Sequence, residues 1–338
     1  MFCFFPYLHR REARVEEDKR KAKKREDSRS RKWESSHRTQ AWVESLKPVS
    51  ALVKEFEENR RYRSKKKIVV SETAFANSRY RDVECLEHSR VKLNNNAYIH
   101  ANWVKIDRQR YICTQGPLEK TAETFWSMVW EYDIQVIVML CTVIEQGQIK
   151  CSQYWPPNVS EEAHFGEFRI ENVSSSLSAD SSLFTTILKV RHGANSKTLT
   201  HLNWKDWPDV DVPENLHLPL HILDTAESLS LKPNAGSLSP IVIHCSAGIG
   251  RTGALVAVEM ALHKIASSGE FTMLQILKEL RNQRAQAIQK DLQYLFVIAC
   301  VLDLLLKKGI ITESDSIRKW FHDYNGYVEK RRDVNEYQ

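Results

Sequence analysis

The chain has 338 residues, 42% of them apolar and 27% charged, which suffices for the core of one large or two small domains and excludes a wholly disordered protein. Its formal net charge of +6 is local: Arg10 to Lys32 holds 12 Lys/Arg against 6 Asp/Glu, so the remaining residues sum to about zero and carry no basic bias toward nucleic acid. Cysteines stand at 3, 85, 113, 141, 151, 245 and 300, an odd number without CxxC or zinc-ligand spacing, so neither a disulfide framework nor a metal site is expected and a reducing compartment is.

Residues 1–40 mix Ser and Arg with few apolar residues after Val15 and are expected to be a charged, disordered N-terminal tail. Residues 10–32 would offer at most a weak electrostatic contact to an anionic surface. The apolar start, Met1 to Leu8, is too short for a signal peptide, and its basic residues follow it instead of preceding it. The longest apolar run, Leu295 to Leu306, is broken by Asp303 and falls short of a membrane span. No transmembrane segment is expected, and the setting implied is cytoplasmic.

From Trp42 the pattern changes. Trp42, Leu46, Val49, Val53 and Phe56 recur at helical steps, with Pro48 kinking the helix or marking its start. Arg90–Leu93, Tyr98–Ile106 and Tyr111–Ile112 read as strands, Thr121–Tyr132 as a helix, and Val136–Leu140 as a strand buried on both faces. Further strand-like segments run to Asn203, and helical patterns begin near Gly250, Met273 and Gln289. Strands first and helices later imply an α+β fold: one twisted mixed sheet flanked by helices, spanning about residues 41–310, with a C-terminal tail over 311–338.

The most informative stretch runs Ile241-Val-Ile-His244-Cys245-Ser246-Ala247-Gly248-Ile249-Gly250-Arg251-Thr252-Gly253. A short apolar strand leads into a Gly-rich loop, and a helix follows. Such a loop lets successive N–H groups converge on one concavity at a helix N-terminus, where the dipole favours an anion. The same field suits a thiolate, the nucleophilic form of cysteine. Arg251, six residues after Cys245, can fork two N–H bonds to phosphate oxygens. Thiolate, nest and guanidinium together point to phosphoryl transfer through a covalent intermediate. Alone, Cys and Arg at this spacing also fit an inert buried cysteine before a Gly turn.

This string resembles the signature loop of the protein tyrosine phosphatases, and the resemblance extends over about residues 75–305. Trp207-Pro208-Asp209 is similar to the family's mobile lid, with Asp209 as general acid. Asn77-Ser-Arg-Tyr80-Arg-Asp82 resembles its substrate-recognition loop: Tyr80 would stack on the phosphotyrosine ring and Asp82 would accept peptide N–H bonds. Residues 246–251 would bind the phosphate. Gln289 and Gln293 resemble the glutamines that place the hydrolytic water, while Glu145 and Lys150 match positions that orient Arg251 and Asp209. Thr252 would offer its hydroxyl to the departing thiolate, and His244 would hold the loop. The resemblance implies an intracellular enzyme acting on phosphotyrosine proteins. It would need no cofactor and no metal, because Arg251 and the nest supply the positive field.

Several residues depart from the family pattern. Trp204 replaces a usual Tyr, Asp211 a Gly, Ser78 an Asn and Lys290 a Thr, and Ala97 with His100 alters another run. Asp211 stiffens the lid if that position needs positive φ, and it puts a second carboxylate near Asp209, which disfavours ionisation of the acid. Two rival readings follow: a catalytically silent phosphotyrosine-binding adaptor, or a phosphatase for phosphoinositides or phosphoserine. The absence of Lys between Cys245 and Arg251 counts against the second.

Overall fold

β-branched Ile241–His244 (β10) has side chains buried on both faces, as expected of a strand at the middle of a sheet. It lies parallel to Gln109–Thr114 (β2) on one side and to Val136–Met139 (β3), equally buried, on the other. Around this centre a computed structural model, which describes residues 37–178, 183–209, 211–231 and 238–336, shows an eight-stranded sheet. Ala101–Ile106 (β1) closes one edge, antiparallel to β2. On the other side Asn195–Trp204 (β9) is parallel to β3, followed by Leu183–His192 (β8), Phe168–Leu177 (β7) and Glu162–Phe165 (β6), all antiparallel. A separate hairpin, Ile144–Glu145 (β4) and Gln148–Ile149 (β5), turns at Gln146 and Gly147. Both turn residues have positive φ, 49° and 74°, the geometry that matches strand twist in a two-residue hairpin.

The expected mixed sheet is present, with local differences. Residues 90–93 form no strand; an isolated antiparallel bridge joins Arg90 to Asn102, with the Val91 N–H on the Ala101 carbonyl. The first amphipathic stretch is two helices, His37–Glu44 (α1) and Val49–Asn59 (α2), with Pro48 as N-cap of the second. Glu72–Asn77 (α3) precedes the recognition loop, and Ala122–Glu131 (α4) lies where a helix is expected. Leu218–Ser230 (α5), with Pro219 in its first turn, has no counterpart in the sequence reading. Arg251–Ser268 (α6), Met273–Arg281 (α7) and Asp291–Lys307 (α8) follow.

Packing does not stop at residue 310. Asp315–Glu336 (α9) buries Ile317, Trp320, Tyr324 and Val328 in the main core, on steps of three and four that keep one face apolar. Residues 311–336 are therefore largely a docked helix. Thr39, inside the stretch expected to be tail, is buried as well. Residues 1–36, with the proposed 10–32 contact, lie outside the described residues. Among the described residues, no helix is long and apolar enough to cross a membrane.

Candidate active site

Cys245 follows the last residue of β10 and Arg251 opens α6, so the loop between them sits at a strand C-terminus and a helix N-terminus at once. Gly248 is indispensable to the curl. Its φ is +69°, and a Cβ there would stand 2.0 Å from the Thr114 carbonyl oxygen, closer than any neighbour tolerates. Its N–H reaches Cys245 Sγ at 3.3 Å, so the backbone turns a donor on the sulfur.

Arg251 is buried, and both of its terminal nitrogens have partners. Nη1 and Nη2 donate to the two Glu145 oxygens at 2.7 and 2.9 Å, Nη1 also to the Trp207 carbonyl at 3.0 Å, and Nη2 to Asp209 Oδ1 at 3.3 Å. Burial disfavours the guanidinium's charge, but Glu145 together with Cys245 and Cys141 more than offsets it and raises the pKa. The β4–β5 turn delivers Glu145, whose Oε1 is itself fixed by the Thr142 N–H at 2.9 Å. Lys150, just past β5, donates to Asp209 Oδ2 at 2.7 Å. Asp209 is thus seated against both cations beside the cradle.

Trp207 anchors the lid from beneath. It is buried against Phe296 of α8 at 5.2 Å and Trp204 at 5.0 Å, and its indole N–H donates to the Asp211 carbonyl at 3.2 Å. Trp204, in place of the usual Tyr, is therefore a platform for the lid. Asp211 has its charge met by Arg332 of α9 at 2.8 Å.

These groups line one cleft of about 210 Å³. Tyr80, Asp82, Lys150, Asp209, Cys245, Ser246, Ala247, Gly250, Arg251, Gln289 and Gln293 all border it, with Val83 and Gln148. His244, Gly248, Ile249, Thr252, Glu145 and Trp207 are not among the residues that border it. The Tyr80 hydroxyl meets Ser246 Oγ at 2.9 Å. Gln293 is a helix cap as well as a lining residue: its Oε1 accepts the Gln289 N–H at 2.9 Å and the Lys290 N–H at 3.3 Å. Thr252 Oγ1 is buried without a hydrogen-bond partner among the described residues.

Three supports have no counterpart in the sequence reading. Arg284, buried, donates to the carbonyls of Gly248 and Ala247, both at 3.0 Å, to Asn102 Oδ1 at 2.8 Å and to His100 Nδ1 at 3.1 Å. It braces the cradle from behind, and His100 is its acceptor: the guanidinium can only donate, so His100 carries its proton on Nε2, facing the Val83 carbonyl at 3.0 Å. Arg79 donates to the carbonyls of Gly116 and Pro117 and so fixes the 77–82 loop. Tyr154 sits between His201 and His244, 2.8 Å from Nε2 of each, and His244 Nδ1 faces the Cys245 carbonyl at 3.1 Å. That carbonyl requires a donor, so His244 Nε2 accepts from Tyr154, and Tyr154 accepts from His201.

Burial holds these rings neutral. It pushes His244 down to about 4 and His201 to about 3, the second helped by His244, and His100 to about 3, helped by Arg284. A histidine whose folded pKa lies below its unfolded value contributes fully above pH 6.5 and loses that contribution as pH falls toward the folded value. Each loses about 1.4 kcal/mol per pH unit in that window. The urea midpoint is expected to drop steeply between pH 6.5 and pH 4.5; an unchanged midpoint would mean that the rings are protonated in the native state.

A strand, a Gly-rich loop and a helix here hold a cysteine and a clamped arginine at one cleft. Residues 75–303 match the family described as protein-tyrosine phosphatase. Tyrosine-protein phosphatase 1 of Caenorhabditis elegans is 37% identical over 236 residues, covering 67% of this chain and 22% of that protein. Human tyrosine-protein phosphatase non-receptor type 9 is 34% identical over 258 residues, covering 71% of this chain and 43% of that protein. The crystal structure of the catalytic domain of human protein tyrosine phosphatase non-receptor type 18 superposes with a TM-score of 0.65 at 27% identity, over 76% of this chain and 93% of that one. The chain belongs to the protein-tyrosine phosphatase family. It spans less than half the length of these two curated relatives.

Proposed function

We propose that the chain hydrolyses phosphotyrosine in proteins through a cysteinyl-phosphate intermediate. The observation that carries this reading is the seated lid: Asp209 lies against Arg251 and Lys150 at the edge of the cleft that holds Cys245. Cys245 Sγ attacks phosphorus while the Arg251 fork and the loop N–H groups hold the equatorial oxygens. Asp209 gives its proton to the phenol oxygen as the P–O bond breaks. Water then attacks the phosphoenzyme with Asp209 as base, placed by Gln289 and Gln293, and the sulfur leaves as thiolate. The unpartnered Thr252 hydroxyl is available to receive that charge. Tyr80 walls the cleft and suits an aromatic ring, while Asp82 at the cleft border would accept peptide N–H bonds. The six described cysteines are free and buried, which fits a reducing, cytoplasmic setting.

Depth decides substrate class. A phosphoserine side chain is shorter than phosphotyrosine, so behind a wall set by Tyr80 its phosphate would sit short of the nest, and misplacement by an ångström costs about 10²-fold. Hydrolysis of a phosphotyrosine peptide is expected to exceed that of the same peptide with phosphoserine by at least about 10²-fold in kcat/KM. Equal rates would overturn the assignment. Tight binding with no turnover would make the chain a phosphotyrosine reader.

A further inference from the structure

We propose that Arg332 is a positioning residue for the lid, so that the C-terminal helix α9 belongs to the catalytic apparatus. The inference rests on the reading of Asp209 as the lid's acid. Arg332 reaches three points on the segment just after Asp209: Nε donates to Asp211 Oδ2 at 2.8 Å, Nη2 to the Val212 carbonyl at 3.0 Å and Nη1 to Glu214 Oε1 at 3.1 Å. Asp211 also accepts the Val212 N–H on Oδ1 at 2.7 Å, so one carboxylate joins the lid backbone to the helix. The Gly usual at position 211 could do neither.

The Asp211 side chain is 16% exposed and Arg332 34%. An isolated pair at such exposure contributes little, but one planar fork gripping three atoms of one segment restricts where that segment rests. The helix is itself held over the turns that precede this contact. Ile317, Trp320, Tyr324 and Val328 are in the core, and Arg331 and Tyr327 both donate to Asp291, the first residue of α8. Neighbouring arginines on α9 thus grip the lid and the first turn of α8, next to Gln289 and Gln293. Release of Arg332 leaves the lid free to spend less time seated over Cys245, and Asp209 then protonates the leaving group less often.

The test compares two esters. A phenol leaving group depends on the proton from Asp209, whereas 4-nitrophenol leaves well without it. Arg332→Ala is expected to lower kcat for phenyl phosphate about tenfold, and for 4-nitrophenyl phosphate less than about threefold. Arg332→Lys should recover part of the loss. Asp211→Asn should reproduce it, and the double variant should be no worse than either single one. Equal losses for both esters, or additive losses, would overturn the proposal. Amide hydrogen exchange over residues 205–216 gives a readout independent of turnover: it should quicken in Arg332→Ala at an unchanged melting temperature, and unchanged exchange would also overturn the positioning role. If the wild-type protein hydrolyses neither ester, the assigned activity fails and the exchange comparison alone decides what Arg332 does.

Discussion

Cys245→Ser is expected to abolish phosphotyrosine hydrolysis, by at least about 10⁴-fold in kcat, while leaving phosphopeptide affinity within a few fold. The asymmetry follows from the division of labour at the site. The phosphate would be held by loop N–H groups at the start of α6 and by Arg251, whose fork is oriented by Glu145; serine disturbs neither. The displacement itself needs a nucleophile that is anionic near neutral pH, and a serine hydroxyl has no adjacent base here, because His244 is engaged with Tyr154 and the Cys245 carbonyl. Asp209→Ala should give a different profile: about 10²- to 10⁴-fold lower kcat and loss of the acidic group from the pH profile, with the cysteine still open to alkylation. Steady-state turnover and calorimetric titration with a phosphotyrosine peptide separate the two variants. Residual turnover in Cys245→Ser near the wild-type rate would remove Cys245 from the mechanism.

Arg284→Met is expected to lower unfolding stability by about 4 kcal/mol or more and to remove activity with it. The guanidinium touches no substrate. It donates to four acceptors, the Gly248 and Ala247 carbonyls, Asn102 and His100, all but the Ala247 bond buried, and methionine satisfies none of them. An orphaned buried acceptor costs about 1–3 kcal/mol, so even partial rescue by water leaves a large deficit. Two of the four acceptors belong to the cradle, so the loop should lose its curl before the domain melts. Urea unfolding measures the first effect. Binding of inorganic phosphate at a temperature where the variant is folded measures the second. Unchanged phosphate affinity would mean that Gly248 and the helix N-terminus alone keep the nest in shape.

The contrast between these residues shows what could be read without coordinates. The chain from Ile241 to Gly253 carries its geometry locally: a buried strand, a glycine with φ of +69° and a helix start are backbone facts about contiguous residues. Cys245 and Arg251 were legible for that reason, and Asp209, Tyr80, Gln289 and Gln293 followed by resemblance to a family with the same order of motifs. The cleft brings those residues together. Arg284 and Tyr154 were not legible, because a buried donor is defined by acceptors far away in sequence, and nothing near Arg284 announces carbonyls at 247 and 248. The docking of α9 lay between these cases. Ile317, Trp320, Tyr324 and Val328 repeat at helical spacing, but the many charged residues among them dilute the signal.

Sequence alone determined the chemistry we propose for this protein: a cysteine and an arginine around a Gly-rich loop and, by family resemblance, an acid at Asp209. Tertiary structure alone decided what holds those groups still. Strand β10 reaches the sheet centre by pairing with β2 and β3, more than a hundred residues earlier, and Asp211 finds Arg332 across 121 positions. Local propensities set backbone conformation within a few residues. Which distant donors and acceptors meet is settled only when the apolar faces of strands and helices pack and exclude water, since only there does an unpaired polar group cost enough to select its partner.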